Sequence, residues 1–217
     1  MTYDTYIFDM DGTILNTIDD LADAVNYAMT KMGYSLHSVS EVKGFVGNGI
    51  KKLIERAVPA GTGDQDRDRA YQYFTEFYSV HCKDKTGPYP GILELLRTLK
   101  DSGKKLAVVS NKADYAVQIL ADEVFPGLFD TAIGEQEGIN KKPARDMVDL
   151  ALERLGASNE ELRKKAVYIG DSNVDFETSV NSELDCILVT WGFRDKEVLK
   201  DFNARYMVDS PEEILNI

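Results

Sequence analysis

Apolar residues along this chain follow two periods. Short unbroken runs at 5–8, 106–109, 131–133, 166–169 and 187–189 are rich in β-branched and aromatic residues, and a last run at 205–208 opens on Arg205. Such runs suit strands covered on both faces. Between them, apolar residues recur mostly at spacings of three and four: Ile92, Leu95, Leu96 and Leu99, then Val117, Ile119 and Leu120, then Met147, Val148, Leu150, Ala151 and Leu155, and a stretch over 174–180. That spacing predicts amphipathic helices. Alternating strands and helices imply βαβ units, and so an α/β fold on a mostly parallel sheet.

One block breaks the alternation. From about residue 16 to 83 the pattern is helical throughout, with Ile18, Leu21, Ala22, Val25, Met29 and Met32 on one face, then Ile50, Leu53, Ile54 and Ala57, then Ala70, Tyr73, Phe74, Phe77 and Tyr78. Thr17 with Asp20 predicts an N-terminal cap, and Gly33 a stop. Lys85-Thr86-Gly87-Pro88-Tyr89-Pro90-Gly91 is a dense turn signal that ends the block. The predicted organisation is a core of residues 1–15 and 84–217 with a helical insertion at 16–83, hinged near 14–17 and 84–89.

Length and charge narrow the function. A chain of 217 residues can bury a large core, and its formal charge of -12, with no basic stripe, argues against a nucleic-acid partner. The first residues lack the basic-then-apolar pattern of a secretory leader, and no apolar run approaches membrane-spanning length. The expectation is a cytoplasmic protein, monomer or dimer, without a membrane partner. Cys82 and Cys186 match no metal or redox spacing and read as reduced packing residues. His37 and His81 are likewise isolated.

Candidate chemistry gathers where strands end. The first run empties into Asp9-Met10-Asp11-Gly12-Thr13, the run at 106–109 into Ser110-Asn111-Lys112, and the run at 166–169 into Gly170-Asp171-Ser172-Asn173-Val174-Asp175. Asn140-Lys141-Lys142-Pro143 stands before a helix that Pro143 is expected to start. Taken singly, each could be an ordinary charged turn. Asp9-x-Asp11-Gly12 also looks superficially like a calcium loop, but its glycine and its distal acid fall at the wrong positions for one. Carboxylates, a hydroxyl and a lysine at successive carboxyl ends are what a phosphate-handling site in an open α/β sheet requires.

These four segments, in this order, resemble the motifs of the haloacid dehalogenase-like hydrolase superfamily, and the resemblance spans nearly the whole chain. Phe45-Val46-Gly47-Asn48-Gly49, Leu53-Ile54-Glu55-Arg56-Ala57, Tyr89-Pro90-Gly91 and Thr190-Trp191-Gly192-Phe193-Arg194 are similar to recurring segments of its phosphoglycolate phosphatase group. The resemblance implies a Rossmann-like core with an inserted helical cap domain. Two positions depart from the family pattern: Glu183 stands where a glycine is usual, and Arg145 where a proline is frequent.

By the same resemblance, Asp9 is the nucleophile that forms an aspartyl-phosphate, and Asp11 is the general acid and base. A carboxylate approaching a phosphate dianion beside Asp171 and Asp175 calls for a divalent cation. Oxygen ligands from Asp9, the Asp11 backbone carbonyl and Asp171 suit Mg²⁺, with Asp175 either a ligand or, as favoured, a residue that holds the others. Lys142 adds positive charge, Thr13 and Ser110 offer hydrogen bonds, and Asn111 positions its loop. Gly47, Asn48, Gly49 and Lys51 are the candidates for binding the rest of the substrate, with an interhelical turn as the plainer reading of that segment. The expected activity is Mg²⁺-dependent hydrolysis of a small phosphomonoester, 2-phosphoglycolate first. Alternatives are a β-phosphoglucomutase-like phosphomutase, a pyrophosphatase of the same superfamily and a metal-dependent binding protein. Dehalogenation is disfavoured, because halide leaves without the proton that Asp11 would supply.

Overall fold

Tyr6, Ile7 and Phe8 are fully buried, which puts β1 (Thr5–Phe8) in the interior of a sheet. The computed structural model describes residues 2–217, and these form two units, one running up to Leu15 and again over Pro88–Ile217, the other Asn16–Gly87. The chain leaves the first unit through β2 (Leu15–Asn16) and returns through β3 (Gly87–Pro88). These two short segments pair with each other as a ribbon. Between them lie α1 (Ile18–Met32), α2 (Val39–Phe45), α3 (Ile50–Ala57) and α4 (Asp64–His81). After β3 come α5 (Ile92–Asp101), β4 (Lys105–Ala113), α6 (Asp114–Val124), β5 (Thr131–Glu135), α7 (Asp146–Arg154) and α8 (Glu160–Arg163). The chain ends with β6 (Ala166–Gly170), α9 (Asn173–Asn181), β7 (Asp185–Val189), α10 (Lys196–Leu199), β8 (Tyr206–Val208) and a 3₁₀ segment over Pro211–Asn216.

Six strands make one sheet in the order β5-β4-β1-β6-β7-β8, every neighbouring pair parallel. The fold is the expected α/β parallel sheet. Side chains alternate between two cores: Tyr6, Phe8, Leu106, Val108, Val167 and Ile169 pack with α5 residues Leu95, Leu96 and Leu99. On the other face Ile7, Ala107, Val109 and Tyr168 pack with Met147, Val148, Ala151 and Leu152 of α7. Covering both faces explains the unbroken apolar runs, and each fully buried aliphatic side chain contributes about 1.5–3 kcal/mol.

Strand order also locates a crevice. After β1 the sheet grows outward through β4 and β5, then the chain crosses back to β6 and grows the other way through β7 and β8. The direction of growth reverses between β1 and β6. Helices that follow these strands diverge there, leaving a cleft at the carboxyl ends.

In the helical unit, Leu21, Val25 and Met29 of α1 and Phe74 and Tyr78 of α4 are buried, and Tyr27 stacks on Phe77 with centroids 4.7 Å apart. Gly33 ends α1 in the left-handed conformation, φ 70°, as expected. The predicted cap at its start is different. Thr17 makes no side-chain capping bond, and the buried Asp20 instead accepts the Thr86 amide at 2.8 Å and the Lys85 amide at 3.0 and 3.1 Å. One buried carboxylate thus satisfies two backbone amides of the returning segment. Helix α2 lies in the block read as helical but was not singled out by its apolar spacing, although Ser38 and Glu41 form a reciprocal capping box at its start. None of the helices among the described residues is long and apolar enough to cross a membrane.

Candidate active site at the carboxyl ends of β1 and β6

Asp9 follows β1 directly and extends its ladder, its amide donating to Ile169 O at 2.9 Å. Its Oδ1 accepts the Met10 amide at 2.7 Å and meets Lys142 Nζ at 2.9 Å. The next residues turn back on themselves: the amides of Thr13, Ile14 and Leu15 all donate to Met10 O. Gly12, at φ +82°, allows that turn and a close approach as well. A Cβ there would lie 2.4 Å from Asp171 Oδ2. Thr13 is fully buried with its backbone carbonyl held by Trp191 Nε1 at 3.0 Å, while its Oγ1 is buried without a partner.

The β6 end packs as tightly. A Cβ on Gly170 would stand 2.2 Å from Asp175 Cγ, and one on Gly192 2.3 Å from Asp171 Cβ, so only glycines admit these two carboxylates. Asp171 Oδ2 accepts the Phe193 amide at 2.5 Å. Asp175, fully buried, uses both oxygens: Oδ1 takes Lys142 Nζ at 2.8 Å, and Oδ2 takes Ser172 Oγ at 2.6 Å with the Ser172 and Asp171 amides at 3.1 and 3.2 Å.

Strand β4 brings in the third element. It runs on to Ala113 with a register shift between Val109 and Ala113, so Ser110, Asn111 and Lys112 lie in a bulge within the strand. A bulge re-aims side chains at a sheet edge. Asn111 turns its carboxamide onto the backbone of Lys142, accepting its N–H at 2.9 Å and donating to its C=O at 3.0 Å. Ser110 is buried, with Oγ 3.4 Å from the Lys112 amide. Lys112 reaches Asp11, its Nζ lying 3.0 and 3.3 Å from the two carboxylate oxygens.

Pro143 does not begin a helix. It sits in a turn closed by the Ala144 amide on Lys141 O at 3.0 Å, after a cis Lys142–Pro143 peptide, and α7 starts at Asp146. The turn points Lys142 into the interior and leaves Lys141 at the edge, 3.3 Å from Glu135. Lys142 Nζ meets three oxygens: Asp9 Oδ1 at 2.9 Å, Asp175 Oδ1 at 2.8 Å and Tyr168 Oη at 3.0 Å.

Carboxylate oxygens of Asp9, Asp171 and Asp175 all lie within 4.8 Å of one another. Burial pushes the Asp9 carboxyl up to about 7, with Lys142 opposing the rise and Asp175 and Asp11 adding to it. Burial likewise lifts Asp171 to about 8, helped by Asp175 and Asp9. Lys142 moves the other way from what burial alone would do, because Asp175 and Asp9 hold its ammonium well above the usual range. Concentrated negative charge with an all-oxygen donor set is a place a hard divalent cation fits.

The sheet unit therefore gathers Asp9, Asp11, Thr13, Ser110, Asn111, Lys142, Asp171 and Asp175. The helical unit carries Gly47, Asn48, Gly49 and Lys51 in and just after the turn between α2 and α3. Asn48 Oδ1 accepts Arg56 Nη2 at 2.8 Å, and Arg56 Nη1 donates to Phe45 O at 2.6 Å, so the Asn48 side chain braces the turn. Lys51 lines a cleft of about 200 Å³ with Ile54, Arg67 and Tyr71. Sequence reasoning passed over Lys112, which looks like an ordinary lysine after a strand, and Tyr168, hidden in an apolar run. The tyrosine left one signal: a buried phenol needs a hydrogen-bond partner.

Residues 6–189 match the family model described as haloacid dehalogenase-like hydrolase. The chain belongs to that family, falls with its phosphoglycolate phosphatase-like group and is a phosphoric monoester hydrolase. A phosphoglycolate phosphatase of Psychrobacter arcticus is 31% identical over 211 residues, covering 94% of this chain and 90% of the relative. One from Aquifex aeolicus is 31% identical over 188 residues, covering 86% and 84%. A Lactobacillus delbrueckii subsp. bulgaricus structure, provisionally designated a phosphoglycolate phosphatase, superposes with a TM-score of 0.92 at 41% identity, covering 99% of this chain and 97% of the other.

Proposed function

We propose that this phosphatase hydrolyses a small phosphomonoester, 2-phosphoglycolate foremost, through an aspartyl-phosphate on Asp9 with Mg²⁺ bound. The observation that carries this reading is the setting of Asp9: a buried carboxylate at the chain-reversal crevice, 2.9 Å from a buried lysine and within 4.8 Å of two further carboxylates.

Asp9 Oδ attacks phosphorus while the bond from phosphorus to the ester oxygen breaks, and its electron pair leaves with that oxygen. Asp11 hands its proton to the departing oxygen, so an alcohol and not an alkoxide is released. Water then attacks the acyl phosphate and returns a proton to Asp11, freeing inorganic phosphate and the Asp9 carboxylate. Lys142 lies against Asp9, where it offsets charge that builds on the phosphoryl oxygens. Thr13 Oγ1, buried without a protein partner, and Ser110 Oγ are the hydroxyls assigned to those oxygens. Asp9, Asp171 and the Asp11 carbonyl would hold Mg²⁺, and glycines at 12 and 192 let Asp171 sit deep enough to take part. Bound there, the cation screens the carboxylates from the phosphate and polarises a phosphoryl oxygen. Asp175 already accepts hydrogen bonds on both oxygens, which supports a holding role and not direct ligation.

Selection among substrates is assigned to the helical unit as a cap, with Gly47, Asn48, Gly49 and Lys51 offering donors to a carboxylate remote from phosphorus. Phosphate release measured across phosphoglycolate, sugar phosphates, pyrophosphate and an aryl phosphate tests the assignment. The highest kcat/KM is expected on phosphoglycolate and none in excess chelator. A sugar phosphate converted to its isomer without phosphate release, or pyrophosphate as the preferred substrate, would overturn it.

A further inference from the structure

Tyr168 is fully buried in β6, a central strand of a parallel sheet, where phenylalanine would fill the same space without a polar atom to satisfy. The hydroxyl therefore needs its own explanation. Two acceptors lie within its reach, Val109 O on β4 at 3.1 Å and Asp175 Oδ1 at 3.4 Å. Asp175 Oδ1 is already met by Lys142 at 2.8 Å, so the shorter contact, to the carbonyl at which the β4 bulge begins, takes the proton, and the side chain reaches past β1 to make it. With the proton committed there, the oxygen turns a lone pair toward Lys142 Nζ at 3.0 Å. An ammonium has three protons, and those of Lys142 are matched to three oxygens on Asp9, Asp175 and Tyr168. Two of these acceptors are charged and belong to the carboxylate cluster. The third is neutral and anchored to the backbone of a different strand.

We propose that Tyr168 is a positioning residue for Lys142: its hydroxyl, fixed by Val109, sets the direction in which the ammonium points between Asp9 and the phosphoryl group. This rests on the role given to Lys142 above. With the phenol oxygen in place, one N–H is held back from the reacting atoms and the other two are aimed by default. Without it the ammonium can rotate and slide along Asp175, and its charge is no longer preorganised for the transition state. The hydroxyl's contacts are Lys142, Val109 and Asp175, and the role assigned to it is exerted through the lysine.

The test is Tyr168→Phe, measured with Mg²⁺ and phosphoglycolate beside Lys142→Met and the double variant. Tyr168→Phe is expected to lower kcat about tenfold with KM changed less than about twofold, the pattern of an interaction made in the transition state. In the Lys142→Met background the same change should have no further effect on single-turnover release of 4-nitrophenol from its phosphate, a readout that survives low rates. An unchanged kcat in Tyr168→Phe, or an equal loss with and without Lys142, would overturn the positioning role. So would a Tyr168→Phe protein without a cooperative melting transition, which would make the hydroxyl a folding requirement. A parental rate in Lys142→Met would instead remove the role of the lysine, and the proposal with it, so the two failures are distinguishable.

Discussion

Charged side chains are handled in opposite ways by the two units. In the sheet unit Asp9, Lys112, Lys142, Asp171 and Asp175 are all buried, with Lys142 set between Asp9 and Asp175 and Lys112 against Asp11. In the helical unit the ion pairs Lys52 to Glu55, Arg67 to Asp64 and Lys85 to Asp23 lie at the surface. Surface pairs of that kind contribute about 0–1 kcal/mol each, whereas burying an ion costs several kcal/mol before its partner repays any of it. A fold does not need a buried knot of three carboxylates and two lysines. The proposed chemistry accounts for the one in the sheet unit, and the helical unit, its buried Asp20 apart, can change these surface charges at little expense to stability.

The largest test of that contrast is Asp9→Asn. It should lower turnover by about a thousandfold or more, because the amide is a far weaker nucleophile. The melting temperature should not fall, since Lys142 keeps Asp175 and the crowding of carboxylates is relieved. Substantial activity in the purified variant would remove the aspartyl-phosphate from consideration.

Next in size is the effect of pH without metal. Folded-state values of about 7 for Asp9 and about 8 for Asp171 lie above those of an unfolded chain, so between these limits the folded protein holds more protons. Their contribution to stability is then present at low pH and lost as pH rises through 7 to 8. In chelator, melting should be lower at pH 8 than at pH 5, and each loss of about 1 kcal/mol lowers Tm by about 2–4 °C in a chain of this size. Mg²⁺ should restore more at pH 8. Equal melting at both values in chelator would contradict the crowding argument.

For the helical unit, Asn48→Ala and Lys51→Ala should each raise KM for phosphoglycolate about threefold to tenfold while changing hydrolysis of an aryl phosphate much less. Equal changes on both substrates, with a loss of about 1 kcal/mol in Asn48→Ala alone, would reduce Asn48 to the brace of Arg56. The smallest effect is expected at Glu183, which adopts φ 58°, the left-handed region where glycine is unstrained. Its carboxylate lies 3.1 Å from Arg145, so the two departures from the family pattern meet each other. Glu183→Gly should gain less than about 1 kcal/mol, because relieved strain is offset by a lost exposed ion pair. A clear destabilisation in thermal melts would show that the pair fastens the Lys142 loop to the end of α9.

Much of the sheet was legible from the chain alone, since strands covered on both faces leave unbroken apolar runs and their polar exits stand out. What escaped were contacts set by distance. Thr17 with Asp20 has the look of a local cap, yet Asp20 answers amides at Lys85 and Thr86 that no local pattern connects to it. Lys112 escaped because a bulge, invisible to periodicity, turns it inward onto Asp11. Pro143 was misplaced for a related reason: its turn closes on Lys141, and the helix waits for Asp146. Helix α2 was the reverse case, since Ser38 and Glu41 advertise its start in four consecutive residues.

The ribbon of β2 and β3 has a consequence for inheritance. Because Leu15–Asn16 and Gly87–Pro88 pair, the insertion enters and leaves the sheet unit at neighbouring points, and to that unit everything between them is a long hairpin loop. Closing a loop costs free energy that grows only slowly with its length, so inserts of very different size would be tolerated at this junction. That makes the insertion an exchangeable cassette by construction: recombination could replace its contents while every sheet-unit residue assigned above to phosphoryl transfer stays in frame and in register.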